Sequence, residues 1–415
     1  MTAPVGSHDW NAVAGPPALP PVEVNDETLR DGLQSPSAID PPMDAKVRLL
    51  HLMVDLGIDA VTIGFPAIGP RMLMQCRTLA QEAARQKLPI RLNCVARTLE
   101  ADIVPIARLQ QECGVPIEVG TFIGASPARQ AAEGWTLDAM LRRAEAAVCV
   151  AVREGLEVMF VTEDSMRTPP ATLEALYALA IRHGARRIVV TDTAGHALPA
   201  GAGALVRWTR DTVIRDSGVK LDWHGHRDRG LAVANALAAT AAGADRVHGT
   251  ALGVGERCGN AEMDQLLVNL RLLGRTAGDF TRLPEYCKLV SHTIGVRIPA
   301  NYPVVGIDAF RTGTGIHASA ILKAMARGDQ VLADQLYSAV PAAMFGLRQR
   351  VNVSPMSGLS NVRHWLATHG HDGDDPDLQH ALLTAAKRAD RALNDEECEF
   401  ALRAIHRKTM THDGD

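Results

Sequence analysis

The sequence predicts an α/β chain, a TIM (β/α)8 barrel followed by a mostly helical accessory domain, and three observations carry that prediction. Eight short, β-branched segments alternate with helical patterns between residues 22 and 253. Each gap between them holds one amphipathic helix, which suits a closed barrel of about 250 residues. No glycine-rich dinucleotide loop follows the first segment, so an open doubly wound sheet fits less well.

Taken in order, VEVNDETLR (22–30) opens the barrel, and MDAKVRLLHLMVDLG (43–57) supplies the first crossover helix. AVTIGF (60–65), IRLNCVA (90–96) and IEVGTFIG (117–124) are runs of the kind buried on both faces of a parallel sheet. TLDAMLRRAEAAVCVAVREG (136–155) repeats apolar residues at helical spacing and leads into LEVMFVTED (156–164). RIVVTDTAG (187–195), KLDWHGH (220–226) and DRVHGTALG (245–253) complete the set. The Pro/Ala/Gly-rich start is expected to be a mobile arm over residues 1–20, with the barrel over 21–282. A linker and accessory segment is expected over 283–330, and a helical accessory domain over 331–415. Residues 381–408 read as one or two terminal helices with a solvated charged face.

Composition bounds the function. At 47% hydrophobic and 22% charged residues over 415 positions, the chain has material for a large core plus a smaller unit. A net charge of −4 without a sustained Lys/Arg cluster argues against nucleic-acid and membrane partners, leaving room for a local basic pocket. Seven scattered cysteines without a CxxC pair suit a reducing cytoplasm. No apolar run approaches the roughly 18 residues that span a bilayer.

The residues with chemistry gather where a barrel enzyme keeps it, at the C-terminal ends of strands. Arg30 and Asp31 are expected to end the first strand, Glu163 the fifth, Thr193 the sixth and His224/His226 the seventh, with Asn260 in the loop after the eighth. Alternate residues of a strand face the same side, so His224 and His226 can hold one ion with Asp31 as an anionic ligand. A divalent ion with open positions can chelate a 2-oxo acid through its carboxylate and ketone oxygens. Taken alone, an HxH pair and a distant aspartate are more often unrelated; their common rim position favours the site.

DETLRDGLQ, VTEDSMR, TDTAGHALP, HGHRDRGLAVANALAATAAGADRVHGT and GVGERCGNAEMDQ resemble, in order and spacing, the 2-isopropylmalate synthase and homocitrate synthase family. FRTGTGIHASAILKA (310–324), YSAVPAAMFG (337–346) and SGLSNVRHWL (357–366) extend the resemblance into the accessory segment. It implies an acyltransferase that condenses acetyl-CoA with a 2-oxo acid in a Claisen reaction and hydrolyses the thioester. The leading expectation is 2-oxoisovalerate giving 2-isopropylmalate and CoA. By resemblance Asp31, His224 and His226 are metal ligands, and Asn260 supplies a further or nearby oxygen. The mixed nitrogen and oxygen set suits Mg, Mn, Zn or Co. The resemblance also implies a homodimer whose accessory segment reaches the partner's barrel.

The new carbon–carbon bond turns the ketone oxygen into an alkoxide, and the metal with Arg30 can supply the positive charge it needs. Arg30 as a buried ion-pair partner is the plainer alternative. Thr193 matches a position that bonds the substrate carboxylate, and equally suits a helix cap. Arg97 can bind a carboxylate bidentately or be a rim arginine. A base must take a methyl proton from acetyl-CoA, and His317 and Tyr337 are the candidates, with Glu163 orienting them or a water. His317 polarising the thioester carbonyl is the other reading of that residue.

Several positions depart from the family. Thr62 stands where relatives commonly carry an acid, which removes an expected partner near Arg30; Arg227 replaces an asparagine, and Arg129 and Thr312 replace histidines. These changes point to retained chemistry with an altered substrate pocket. A large C-terminal regulatory domain is not expected. The alternatives are a homocitrate-type or other alkyl- or aryl-malate synthase, and, more distantly, cleavage of hydroxymethylglutaryl-CoA. A second substrate carboxylate would need another buried cation, from Arg97, Arg129 or Arg227.

Overall fold

The computed structural model describes residues 8–13 and 19–410, with side chains to residue 403. Most of the expected N-terminal arm lies outside the described residues. Two compact units divide between Arg297 and Ile298.

The first unit is a closed barrel of eight parallel strands in sequence order. They are β1 (Glu23–Asp26), β2 (Ala60–Gly64), β3 (Arg91–Arg97), β4 (Ile117–Gly124), β5 (Glu157–Glu163), β6 (Arg187–Asp192), β7 (Lys220–Gly225) and β8 (Arg246–Gly249). Closure comes from β1, which pairs with β2 through Asn25↔Ala60 and with β8 through Val24↔Val247. Helices over the strands explain why the strand residues are nearly all buried. Leu137–Arg153 shows the logic: Met140, Ala144, Ala147, Val148 and Ala151 recur at helical spacing and are buried, while the opposite face is charged. The Thr136 hydroxyl starts that helix by accepting the Ala139 N–H at 3.2 Å.

Residues expected to begin the linker belong to the barrel unit. The helix Leu283–Ile294 buries Leu283, Tyr286, Cys287 and Val290, and the Tyr286 hydroxyl donates to the Asp26 carboxylate at the end of β1. Asp26 is fully buried, and burial pushes its carboxyl up to about 6 against the bonds from Tyr286 and Thr28.

Inside the barrel lies a charged layer. Asp222 of β7 accepts from Arg187 at 2.6 Å and from Arg246 at 2.7 Å, and Glu118 of β4 meets the same two guanidiniums at 3.1 and 2.9 Å. Such a cluster is sustained in a barrel interior because each charge meets an opposite one.

The second unit, from Ile298 onward, has two small cores. One joins Ile321, Ala324 and Ala333 of the helices Gly315–Ala326 and Gln330–Gln335. The other gathers Val362, Trp365 and Leu366 of Leu359–Thr368, Leu378 and Leu382 of Pro376–Arg388, and Cys398 and Leu402 of Asp395–Met410. A short parallel ribbon pairs β9 (Arg311–Thr312) with β10 (Arg350–Val351).

Candidate metal centre and its cavity

The first strand is shorter than its sequence suggests. β1 ends at Asp26, and the chain then turns: Arg30 N–H and Gly32 N–H both donate to the Glu27 carbonyl, at 3.0 and 3.1 Å. Arg30 and Asp31 therefore reach the rim from a turn rather than from a strand end. Opposite them, His224 sits in β7 and His226 just past it.

Asp31 Oδ2 lies 3.4 Å from His224 Nε2 and 3.7 Å from His226 Nε2, and all three residues are buried. Their ligand atoms fall within 4.8 Å of one another. Asn260 joins them because its backbone pairs with His226 in an isolated antiparallel bridge. A Cβ at Gly255 would sit 2.2 Å from the Asn260 amide nitrogen and 3.2 Å from Asp31 Oδ1, so only glycine lets the loop pass between these two side chains. Asp31 Oδ1, His226 Nδ1 and Asn260 Oδ1 are buried without a hydrogen-bond partner. Orphaned buried acceptors are costly, and a divalent cation satisfies carboxylate and amide oxygens together.

The electrostatics agree with ligand roles. Burial raises the Asp31 carboxyl, but Arg30 and the two imidazoles outweigh it and hold the group well below the usual carboxylate range. Burial pushes the His226 imidazole down to about 4, so it is neutral and free to ligate near pH 7. A second cluster, Glu27, His224 and His248, also has ligand atoms within 4.8 Å. Its carboxylate is already taken: Glu27 accepts from Arg30 Nε at 2.8 Å and Asn25 Nδ2 at 3.0 Å, and lies 3.1 Å from His248 Nδ1. Arg30 stands beside both carboxylates, but both Glu27 oxygens are engaged, whereas Asp31 keeps Oδ1 without a partner. The donor set thus favours the Asp31 cluster.

Arg30, Asp31, His224 and His226 line a cavity of about 170 Å³ at the barrel mouth. Phe65, Phe122, Met159, Val161 and Val189 form an apolar wall, and Glu163 and Thr193 stand at the polar side. The Thr193 hydroxyl accepts the Asp164 N–H at 2.9 Å and lies 3.0 Å from Thr191 Oγ1, whose own proton goes to the Thr162 carbonyl at 2.6 Å. Its proton is therefore directed to Thr191 or to a ligand in the cavity. Burial raises the Glu163 carboxyl above the usual range, against Arg129, whose Nε is 3.9 Å away.

Other residues singled out in the sequence lie elsewhere. Arg97 is largely exposed and forks onto Asp102 at 2.7 and 2.9 Å; it is not among the residues that line the cavity. Its position at the last residue of β3 aims it along the rim toward the next helix. Arg227 donates to the Cys258 carbonyl at 2.6 Å and pairs with Glu262 at 2.5 Å, bracing the loop that carries Asn260. In the second unit His317 and Tyr337 stack with ring centroids 4.0 Å apart, both exposed. Thr62 is absorbed in a buried bond ring with Asn25 and Asn93. The carboxylate that meets Arg30 is Glu27, which sequence reasoning missed, although a glutamate three residues before an arginine on one turn was a usable signal.

A family model described as HMGL-like matches residues 21–290. The chain belongs to the HMGL-like family. The HMGL-like barrel continues into relatives with several names. A putative (R)-citramalate synthase of Methanopyrus kandleri is 34% identical over 95% of this chain and 73% of its own length. A homocitrate synthase of the same organism is 32% identical over 92% of both chains. A 2-isopropylmalate synthase of Solidesulfovibrio magneticus is 34% identical, covering 91% of this chain and 68% of its own. Among solved structures, the HMG-CoA lyase of Bacillus subtilis superposes with a TM-score of 0.56 at 18% identity, over 68% of this chain and 96% of that one. The hydroxymethylglutaryl-CoA lyase of Pseudomonas aeruginosa gives 0.55 at 22%, over 66% and 93%. At those identities the two lyases speak to the barrel fold alone.

Proposed function

We propose that this protein is an acyltransferase that condenses acetyl-CoA with a 2-oxo acid and then hydrolyses the resulting thioester with water, and that the acid is 2-oxoisovalerate, giving 2-isopropylmalate and CoA. The observation that carries the choice of acid is the make-up of the cavity lining, several apolar side chains with a single guanidinium. Arg30 is the only guanidinium among the described residues lining it. A single carboxylate can be held there, while a second one, as in 2-oxoglutarate, would meet Phe122, Met159 and Val161. Arg97, Arg129 and Arg227 are each engaged with acidic partners. A branched apolar side chain fits that wall.

Asp31, His224 and His226, with the Asn260 amide oxygen, would hold a divalent ion that supplies Lewis-acid polarisation of the ketone. Arg30 presents positive charge at the same end, where alkoxide character develops. Thr193 offers a hydroxyl proton to the substrate carboxylate. Glu163, whose carboxyl burial raises above the usual range, orients a water or the base. The phenylalanines and valines hold the oxo acid side chain and keep bulk water out. From the second unit, one of His317 and Tyr337 takes the methyl proton of acetyl-CoA, a pairing supported by the stacking and exposure of the two rings. A homodimer in which this unit serves the partner's barrel, and a cytoplasmic location, belong to the same reading.

The test is CoA thiol release from acetyl-CoA across a panel of 2-oxo acids, after metal removal and restoration with Mg²⁺, Mn²⁺, Zn²⁺ or Co²⁺. Release that depends on metal and is fastest with 2-oxoisovalerate supports the reading. Preference for 2-oxoglutarate overturns the choice of acid, and no release with any acid overturns the reaction.

A further inference from the structure

We infer that Glu27, in the turn after the first strand, and His248, on the eighth, form a positioning pair for Arg30, a role for which the second strand here has no carboxylate. This rests on the reading of Arg30 as a group that acts on the oxo acid.

The geometry is a chain of opposed charges running from the barrel interior to the cavity. Arg187 and Arg246 fix Asp222; Asp222 Oδ2 lies 3.0 Å from His248 Nε2; His248 Nδ1 lies 3.1 Å from Glu27 Oε1; and Glu27 Oε2 takes Arg30 Nε at 2.8 Å and Nη2 at 2.6 Å. Glu27, Asp222 and His248 are all buried. Each link removes a freedom from the next. Asp222 sets the tilt of the imidazole through Nε2, Asn25 Nδ2 donates to the Glu27 oxygen that the imidazole Nδ1 approaches without a hydrogen bond, and the other oxygen grips the guanidinium on two nitrogens. The remaining nitrogen, Nη1, is 3.2 Å from Asp31 Oδ2, so the guanidinium is held between the carboxylate that orients it and the one proposed to bind metal.

Position 62, on the strand beside β1, is a threonine whose hydroxyl donates to Asn93 Oδ1 at 2.5 Å. Its ring with Asn25 and Asn93 is neutral, so β2 brings no anion to Arg30. Glu27 brings one, with the His248 ring packed behind it. The imidazole also stands edge-on to His224, with ring centroids 5.6 Å apart, which steadies that ring from the strand between β7 and β1.

The experiment compares the full-length parent with Glu27→Gln and Glu27→Asp in four measurements: melting temperature, Mn²⁺ affinity by calorimetry, kcat and KM for the oxo acid, and the Arg30 side-chain Nε–Hε resonance, assigned with Arg30→Lys. CoA release by the parent checks the functional reading separately, and the resonance reports on Arg30 whether or not any oxo acid turns over. Loss or displacement of the Arg30 resonance in Glu27→Gln, with Mn²⁺ affinity within about threefold and kcat down about tenfold or more, is the expected result. Glu27→Asp, which keeps the charge, should retain more of kcat than Glu27→Gln. An unmoved resonance, or kcat within about twofold of the parent, overturns the inference. If the Gln variant fails to fold, the same two readings on Glu27→Asp decide: a resonance and kcat identical to the parent overturn it, and a moved resonance with lower kcat and unchanged Mn²⁺ affinity upholds it.

Discussion

Asn260 pairs its backbone with His226, although they stand on different crossings of the barrel mouth. That bridge brings the Asn260 side chain, whose amide oxygen is buried and without a partner, to the same Gly255 backbone that Asp31 packs against. Replacing Asn260 by Ala should lower Mn²⁺ affinity by about tenfold, in the range typical of supporting oxygen groups at metal sites. Calorimetric titration of the variant measures it, and an affinity equal to the parent's would remove Asn260 from the site.

Arg97 makes the opposite case. Its fork onto buried Asp102 is mostly exposed, and pairs of that kind contribute about 0–1 kcal/mol. Arg97→Ala should leave KM for the oxo acid within about twofold of the parent. A KM rise of tenfold in steady-state kinetics would return Arg97 to the pocket.

Gly124, the last residue of β4, is packed by side chains that matter. A Cβ there would lie 2.3 Å from Arg129 Cγ and 2.8 Å from Glu163 Oε2. Gly124→Ala should fold but push Glu163 out of place, with kcat lower by about tenfold, since small misplacements at a reacting centre are expensive. Equal kcat would show that Glu163 has no positional role.

The Asp26 carboxyl gives a pH signature. Its folded value of about 6 lies above the ordinary 3.8, so the folded chain holds a proton that the unfolded chain has released between those values. The stability from this group is present below about pH 3.8 and is lost as pH rises through 6. Asp26→Asn cannot ionise. The melting temperature of the variant minus that of the parent should therefore rise by about 2 °C or more from pH 4.5 to 6.5 and then level off. A flat difference in differential scanning calorimetry would contradict the buried-acid account.

How far the sequence reveals this site depends on the kind of signal. The eight strands were legible because buried parallel strands are dense in Val and Ile and the gaps fit one helix each. His224 and His226 were legible from strand alternation. The end of β1 was not, since DETLR carries no Gly or Pro to mark a turn; the bend comes from the Glu27 carbonyl accepting two later N–H groups. Glu27 was missed because the turn that folds it onto Arg30 was read as continuing strand, and His248 because its partners Asp222 and Glu27 are far away in sequence and HGT on a strand looks like any half-buried histidine. Arg97 looked like a carboxylate binder because the sequence does not disclose Asp102 waiting one turn into the next helix.

The central claim is that Asp31, His224 and His226 hold the ion on which turnover depends. Mn²⁺ binding and CoA release should be measured together on the parent, Asp31→Ala and His226→Ala, with melting curves to verify folding. The account predicts that each variant folds, loses Mn²⁺ affinity beyond about a hundredfold and loses CoA release with it. A folded variant that keeps parental CoA release, or one that keeps parental Mn²⁺ affinity, would contradict it.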